Sequence, residues 1–263
     1  MTGVVEEPVR LTRDGAVAIT TIDALHMRNA LGAPGVREGL NTAISSFEAD
    51  PGLRVMILYG AGGVFSAGGN LNALRELRDI DQIRARLVTG SKTTGSILTS
   101  RKIYLAAVEG PAFGAGMGLA LSCDLVIASQ TARFCAAQIK VGASPDGSLF
   151  WSLPRRTGNA VAKRILLSGD EILMPEALEL GIADYDAPSS EALERALVVA
   201  RKLARGAPLA QSTVKAFFAD NMAGRDSILD WERESAAQNF VTKDFLEGAN
   251  AFLEKRKPQF KGK

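Results

Sequence analysis

The stretch that most constrains this chain is residues 107–124, which read Ala-Val-Glu-Gly-Pro-Ala-Phe-Gly-Ala-Gly-Met-Gly-Leu-Ala-Leu-Ser-Cys-Asp. The apolar run over residues 103–108 predicts a buried strand, and Gly110-Pro111 predicts the turn that ends it. Glycines then occupy positions 114, 116 and 118 before an apolar helix begins. A glycine-rich turn between a strand and a helix leaves backbone N–H groups free at the helix N-terminus, where negative charge is favoured. Tight packing of the helix on the strand would need the same glycines. From this stretch alone, the glycines could serve either a binding site or a packing contact.

Two common phosphate-binding motifs do not match this stretch. The spacing of glycines 114, 116 and 118 differs from the G-x-G-x-x-G fingerprint of dinucleotide-binding proteins. No Gly-Lys-Ser or Gly-Lys-Thr follows, so it is not a P-loop either.

The composition is that of an ordinary soluble globular protein. The 263 residues are 46% hydrophobic and 23% charged, and the net charge of +2 does not indicate a nucleic-acid partner. No apolar run is long enough to span a membrane and the N-terminal residues do not resemble a signal peptide, so a cytoplasmic location is expected. Cys123 and Cys135 lie in apolar segments and are interpreted as core thiols, without metal-ligand spacing or a disulfide framework.

Strands and helices alternate over the first two thirds of the chain, and the last third is helical. This order predicts an α/β core over residues 1–200 and a C-terminal helical region over residues 201–263. Asp14-Gly15 predicts a hairpin between the first two strands. A second glycine cluster at residues 60–71 follows a buried strand and precedes a helix at 71–77. It is either a flexible loop or a second set of exposed backbone donors around Gly68 and Gly69.

Three further expectations concern secondary structure. The pattern predicts a short strand at residues 182–185 and a helix over residues 75–100 that is broken near Gly90 and Gly95. Ser189 or Ser190 is predicted to cap the long helix that follows them. Three final helices are expected near 209–221, 226–240 and 244–254.

Five segments resemble motifs of the crotonase superfamily, also called the enoyl-CoA hydratase/isomerase family. They occur in the family's order along essentially the whole chain: Asn29-Ala-Leu, Phe65-Ser-Ala-Gly-Gly-Asn-Leu, residues 107–124, Leu153-Pro-Arg-Arg-Thr-Gly and Phe252-Leu-Glu-Lys-Arg-Lys-Pro-Gln-Phe. The resemblance implies a ββα spiral core with a C-terminal helical region that forms trimers, often as a dimer of trimers. It also implies a coenzyme A thioester as substrate, with no permanently bound cofactor and no metal.

The same resemblance implies which residues form the site. The backbone N–H groups of Gly69 and Ala115 would form an oxyanion hole for the thioester oxygen. The coenzyme A part of the substrate would contact Met27, Arg28, Ala67, Gly69 and Asn70, and its adenine and phosphate end would contact Phe252 and Lys255, often from a neighbouring subunit. Residues 78–100 would shape the acyl pocket.

The departures from the family pattern bear on the chemistry. Hydratases of this family use two glutamates, and this sequence has Gly118 and Gln138 at those positions. Asp146 falls where the epoxyphenylacetyl-CoA and Δ3,Δ2-enoyl-CoA isomerases, and 4-chlorobenzoyl-CoA dehalogenase, have a catalytic aspartate. The dehalogenase also needs a histidine and a tryptophan in the helix before residue 103, where this chain has Gly90 and Ser91, so that activity is disfavoured.

An acyl-CoA isomerase with Asp146 as the single proton carrier is therefore the favoured function. The alternatives are a hydratase, hydrolase or lyase that uses Asp146 and a bound water, and a non-catalytic acyl-CoA-binding protein. Phe134, Phe150 and Trp151 are expected to form an apolar pocket around Asp146. Glu109 is the rival carboxylate and is interpreted as structural.

Overall fold

A computed structural model describes residues 7–76, 79–219 and 224–263. Its strands are β1 (Val9–Asp14), β2 (Val17–Ile22), β3 (Val55–Gly60), β4 (Ile103–Val108), β5 (Pro111–Phe113), β6 (Leu125–Ser129), β7 (Arg133–Cys135), β8 (Ile172–Leu173) and β9 (Tyr185–Ala187). Its α-helices are α1 (Val36–Ala49), α2 (Leu71–Leu74), α3 (Ile80–Thr99), α4 (Ala115–Ser122), α5 (Leu149–Thr157), α6 (Asn159–Ser168), α7 (Glu176–Glu179), α8 (Ala192–Ala204), α9 (Pro208–Ala219), α10 (Arg225–Phe240) and α11 (Lys243–Leu253).

The main sheet has the strand order β1-β2-β3-β4-β6-β9, and its central strands are buried on both faces. β1 and β2 form an antiparallel hairpin, and every other pair in this sheet is parallel. Along β3, Met56 and Leu58 point to one core, whereas Val55 and Ile57 point to the other. Burial on both faces explains why the strand is a continuous apolar run instead of an alternating pattern.

A second sheet with the order β5-β7-β8 stands beside the main one. β5 and β7 are parallel, and β7 and β8 are antiparallel. A single parallel bridge between Ser66 and Ala112 joins the second glycine cluster to this sheet. The two glycine-rich segments are therefore brought side by side by strand pairing.

Helix α8 covers one face of the main sheet with a stripe of buried alanines, and its N-terminus is capped from far along the chain. The Glu109 carboxylate accepts hydrogen bonds from the backbone N–H of Ala192 (2.7 Å) and of Ser190 (3.3 Å), and from the Thr131 hydroxyl (3.3 Å). Glu109 is only 3% exposed. The structural interpretation of Glu109 is confirmed, because its carboxylate is fully engaged by these donors.

The C-terminal region is joined to the core by hydrogen bonds from the buried Lys215 and the partly buried Arg54. Lys215 of α9 donates to the Lys102 carbonyl (2.7 Å) and to the Asp124 carboxylate (2.8 Å). From the core, Arg54 donates to the carbonyl of Phe260 (2.7 Å) in the C-terminal segment. Among the described helices, none has both the length and the apolar character needed to cross a bilayer.

Several expectations from the sequence are confirmed and three are wrong. The hairpin, the alternation of strands and helices in the core and the helical C-terminal third are present. The expected strand at 182–185 is displaced, because β9 begins at Tyr185 and runs to Ala187. Helix α3 continues unbroken through Gly90 and Gly95, since a glycine inside a helix weakens it without ending it.

The third error concerns the cap of α8. The N-cap residue is Glu191, no side chain of its own segment caps the helix, and neither Ser189 nor Ser190 does so. The negative charge that favours a helix N-terminus comes from Glu109 instead. The predicted ends at residue 77 and at residues 220–221 lie outside the described residues.

Replacing Glu109 with alanine should destabilise the protein without touching its chemistry. The change removes a buried carboxylate that accepts from the first turn of α8, and such a cap is worth about 1–2 kcal/mol. Urea unfolding should show a loss of that size in the free energy of unfolding. Glu191→Ala is the matched control, because the Glu191 side chain makes no capping bond. An equal loss in both variants would refute the assigned role of Glu109.

Candidate active site

The second glycine cluster is held in place by two buried polar side chains. Asn29 is fully buried; its amide nitrogen donates to the carbonyls of Ala61 (2.9 Å) and Val64 (2.7 Å). The Ser66 hydroxyl donates to the Asn29 carbonyl (2.7 Å) and accepts from the Gly68 N–H (3.1 Å). These bonds fix the backbone of the loop up to Gly68.

The two glycine clusters touch, and this contact places their backbone donors together. Gly68 has φ +87°, and a Cβ on it would lie 2.4 Å from the Phe113 carbonyl oxygen and 3.2 Å from the Ala115 nitrogen. The next residue is Gly69, and Ala115 is the first residue of α4. Neither the Gly69 nor the Ala115 N–H donates to any residue that the structure describes. Two unpaired donors at the start of a helix can bind an oxyanion.

Asp146 is carried to the same place by a loop that packs against α4. Gly147 has φ +63°, and a Cβ on it would lie 3.3 Å from the Ala115 Cα. A Cβ on Gly118 would lie 2.1 Å from the Gly147 carbonyl oxygen. The loop therefore occupies the space that any side chain at position 118 would need, and a glutamate there is incompatible with this backbone.

Gln138 orients the Asp146 carboxylate. Its Nε2 donates to Asp146 Oδ1 at 2.8 Å, while its buried Oε1 accepts no hydrogen bond from the described part of the chain. The bond fixes the position of one carboxyl oxygen of Asp146.

Gly69, Ala115 and Asp146 line one cavity of about 370 Å³. The rest of its wall comes from the segments around α1, α2, α3 and α4: Leu31, Gly32, Arg37, Leu40, Leu74, Ile83, Arg84, Arg86, Leu87, Val88, Gly90, Ser91, Thr93, Thr94, Leu119 and Gly147. Asp146 is the only carboxylate among these lining residues. The cavity thus combines two free backbone donors, one carboxylate and a largely apolar wall.

The predicted catalytic residues are brought together, whereas the predicted coenzyme A contacts other than Gly69 lie outside the cavity wall. The Ala67 N–H donates to the Arg28 carbonyl (3.0 Å), which joins two of these segments beside the glycine loop. Asn70 accepts from the Ala73 N–H (3.2 Å) and caps α2. Met27, Phe252 and Lys255 are also absent from the cavity wall, and Phe252 is 82% exposed at the end of α11. The roles assigned to all these residues stay predictions.

The prediction of an aromatic pocket around Asp146 is wrong. Phe134 is fully buried in the core, Phe150 is 63% exposed, and the Trp151 ring lies under the Arg155 guanidinium at 3.2 Å. None of the three lines the cavity. Leucine and isoleucine side chains from α1, α2, α3 and α4 supply the apolar wall, because these helices pack over the site from other parts of the chain.

Sequence reasoning missed the arginines of the cavity wall. Arg37, Arg84 and Arg86 were not singled out, because a charged residue on an amphipathic helix is usually interpreted as a solvated face. The one local signal is an apolar neighbour, since Arg37 follows Val36, Arg84 follows Ile83 and Arg86 precedes Leu87. The expectation that residues 78–100 shape this pocket agrees with the position of α3 in the wall.

The two cysteines take no part in the site. Cys123 and Cys135 are free and buried, and burial raises the pKa of both thiols. A thiol in such surroundings is a poor nucleophile. Among the residues described, no three His, Cys, Asp or Glu side chains meet in a way that could hold a metal ion.

Comparison with known proteins gives the family. A family model described as enoyl-CoA hydratase/isomerase matches residues 12–263. A 2,3-dehydroadipyl-CoA hydratase from Escherichia coli (strain K12) is 32% identical over 254 residues, which cover 96% of this chain and 98% of the relative. A short-chain-enoyl-CoA hydratase from Clostridium acetobutylicum is 32% identical over 251 residues, 95% of each chain.

A solved structure supports the same family. The enoyl-CoA hydratase from Polaromonas sp. JS666 matches with a TM-score of 0.90 and 35% identity, and the match covers 96% of this chain and 99% of that one. The chain therefore belongs to the enoyl-CoA hydratase/isomerase family. The crotonase-like α/β fold is confirmed. These relatives are named hydratases, and their names do not point to the isomerase branch.

Adding a methyl group at position 118 should disturb the site. In Gly118→Ala the new Cβ would overlap the Gly147 carbonyl oxygen, so the loop that carries Asp146 must move. Overpacking of this kind costs about 1–3 kcal/mol of unfolding free energy. The measurement is chemical denaturation.

Gly95→Ala is the matched helical control. A Cβ on Gly95 meets nothing within 4 Å, so this change should stabilise α3 by about 0.5–1 kcal/mol. Equal stability of the Gly118→Ala variant and the wild type would contradict the packing described for the loop.

Proposed function

We propose that this protein isomerises the double bond of an enoyl-CoA, with Asp146 as the single proton carrier. The observation that carries the proposal is the contact between Gly118 and the Gly147 carbonyl, which excludes a side chain at one hydratase position. The other hydratase position holds Gln138, whose amide cannot transfer a proton. Asp146 is then the carboxylate in the cavity wall that can do so.

In this proposal the thioester oxygen accepts hydrogen bonds from the Gly69 and Ala115 N–H groups. Removal of a proton from the α carbon leaves a dienolate with its charge on that oxygen. Donors already aimed at the developing charge stabilise it, each by roughly 3–4 kcal/mol. Ala115 serves as well as a glycine would, because only its N–H is needed.

The Asp146 carboxylate takes the proton from C2 of a 3-enoyl-CoA. The C2–H electron pair becomes part of the dienolate, and the same carboxyl then returns the proton to C4. The double bond ends between C2 and C3, with no net gain or loss of atoms. The bond from Gln138 Nε2 to Oδ1 keeps the carboxylate oriented during this exchange.

A hydratase, hydrolase or lyase that acts through Asp146 and a bound water is the second candidate. Relatives named hydratases support it. So does the buried Gln138 Oε1, which has no partner among the described residues and could accept a hydrogen bond from a water beside Asp146. A third candidate is an acyl-CoA-binding protein without catalysis.

Replacing Asp146 with asparagine separates these candidates. The variant keeps the size of the side chain and removes the proton carrier, so conversion of a 3-enoyl-CoA to the conjugated 2-enoyl-CoA should fall by roughly 10²–10⁴-fold. Absorbance of the conjugated thioester is the readout, with hydration of crotonyl-CoA measured in parallel. Asp170→Asn is the control, because Asp170 is an exposed carboxylate outside the cavity.

Full isomerase activity in Asp146→Asn would refute the assigned role. Hydration by the wild type at a rate above isomerisation would favour the second candidate. Binding of acyl-CoA with neither reaction would favour the third.

We also propose that the protein self-associates through its C-terminal helices, as a trimer or a dimer of trimers. Support comes from large apolar side chains exposed on the single chain in this region: Val214, Phe218, Phe240, Val241, Leu246, Phe252 and Leu253. Contiguous exposed apolar surface on a soluble chain is typical of an interface. Family resemblance supplies the expected stoichiometry.

Sedimentation of the wild type should therefore give a mass of three or six times the 27.9 kDa chain. Phe218→Glu places a charge on an apolar side chain that is 71% exposed, and it should shift the protein to smaller species. Leu167→Glu is the control, since Leu167 is 67% exposed on α6, outside this region. A monomeric wild type would refute the assembly.

A further inference from the structure

Two guanidinium groups stand in the wall of the catalytic cavity without a role in the proton transfer. Arg37 lies on α1 and Arg86 on α3, and both line the cavity that holds Asp146. Arg37 Nη1 donates to the Arg86 backbone carbonyl at 3.3 Å, so the two residues are neighbours. Both are partly buried.

Each of these two arginines lies over a glycine. A Cβ on Gly90 would come within 3.3 Å of Arg37 Nη2, and a Cβ on Gly32 would come within 3.0 Å of Arg86 Nη2. A larger residue at either glycine would crowd a guanidinium group. Because Gly32 and Gly90 have no side chains, both guanidinium groups fit at the cavity wall.

No carboxylate of the described residues forms an ion pair with Arg37 or Arg86. The third arginine of the wall differs, because Arg84 pairs with Asp81 one turn earlier on α3. The charges of Glu38 and Asp146 act on Arg37, but neither carboxylate forms an ion pair with it. Two cations of the cavity wall are therefore left without a carboxylate at ion-pair distance among the described residues.

The positive charges of Arg37 and Arg86 repel each other. Burial, and then the neighbouring charge of Arg86, lower the pKa of the Arg37 guanidinium. An arginine nevertheless stays protonated at neutral pH, so both charges persist. An anion placed between them would relieve the repulsion and could be bound by charge-assisted, bidentate hydrogen bonds.

We infer that the acyl group of the substrate ends in a carboxylate, which Arg37 and Arg86 bind. The inference rests on the proposed function, since it takes the thioester to be held at Gly69 and Ala115 of the same cavity. Leucine and isoleucine side chains line the remaining wall and suit the methylene carbons between the two ends. The substrate class is then a dicarboxylic acid joined to coenzyme A through one carboxyl group.

The phosphates of coenzyme A are the other anions that these arginines could bind. The acyl carboxylate and the coenzyme A phosphates predict different contributions of the arginines to ligand affinity. An arginine that binds phosphate contributes equally to every acyl-CoA, whereas an arginine that binds the acyl carboxylate contributes only when that carboxylate is present.

The experiment compares saturated acyl-CoAs of equal chain length by titration calorimetry. The pairs are succinyl-CoA with butanoyl-CoA, glutaryl-CoA with pentanoyl-CoA, and adipyl-CoA with hexanoyl-CoA; coenzyme A itself is a further ligand. These compounds lack the double bond, so binding is measured independently of isomerisation. We expect the wild type to bind the carboxylate-ended member of at least one pair about tenfold or more tightly.

Arg37→Met and Arg86→Met remove each charge and retain an apolar stem. Each should abolish most of the preference for the carboxylate-ended ligand, leaving the affinity for the methyl-ended ligand unchanged or higher. Arg37→Lys and Arg86→Lys should retain part of the preference, because the charge remains. Lys92→Met is the matched control on the same helix and should keep the full preference, since Lys92 is exposed and lies outside the cavity wall.

Equal or tighter wild-type binding of the methyl-ended ligand in every pair would overturn the inference and leave the proposed function intact. An equal loss of affinity for all ligands in the methionine variants would assign the arginines to the coenzyme A phosphates, which also overturns it. Failure of the wild type to bind any of the acyl-CoAs would overturn both the proposed function and this inference. Thermal unfolding of each variant verifies that it is folded.

Discussion

The close approach of the Gly147 carbonyl to Gly118 is the contact on which the site depends. Because position 118 has no side chain, the loop of residues 145–147 can lie directly on the first turn of α4. That contact brings Asp146 into the cavity and at the same time excludes a glutamate from position 118. One steric relation therefore excludes a side chain from position 118 and places the Asp146 carboxylate in the cavity wall, and the proposed chemistry rests on both.

The free backbone donors depend on a second set of constraints. Bonds from Asn29 and Ser66 hold the glycine loop, and the parallel bridge from Ser66 to Ala112 fixes it beside β5. The fully buried Asn29 amide needs hydrogen-bond partners, and the Ala61 and Val64 carbonyls of the loop provide them. The result is a rigid backbone in which Gly69 and Ala115 keep N–H groups that nothing in the described chain satisfies.

The charges of the molecule divide into those that hold the fold and those that face the cavity. Glu109 and Lys215 are buried and satisfied by backbone and side-chain partners far away in sequence. Arg37 and Arg86 have no such carboxylate partner within the described residues, although Arg84 beside them does. Glu109 and Lys215 find their partners within the fold, so the two partly buried arginines that lack a carboxylate partner are informative about what the cavity binds.

Local patterns in the sequence are sufficient to predict the α/β order, the hairpin at Asp14-Gly15 and the two glycine clusters, because apolar periodicity and glycine turns are local properties. The family motifs predicted the fold and the site residues Gly69, Ala115 and Asp146. The structure brings these three residues to one cavity. The cap of α8, the leucine side chains of the cavity wall and the pair of arginines become visible only in the folded chain. Each of these depends on contacts between segments tens of residues apart, and no local pattern in the sequence encodes which distant side chains will meet.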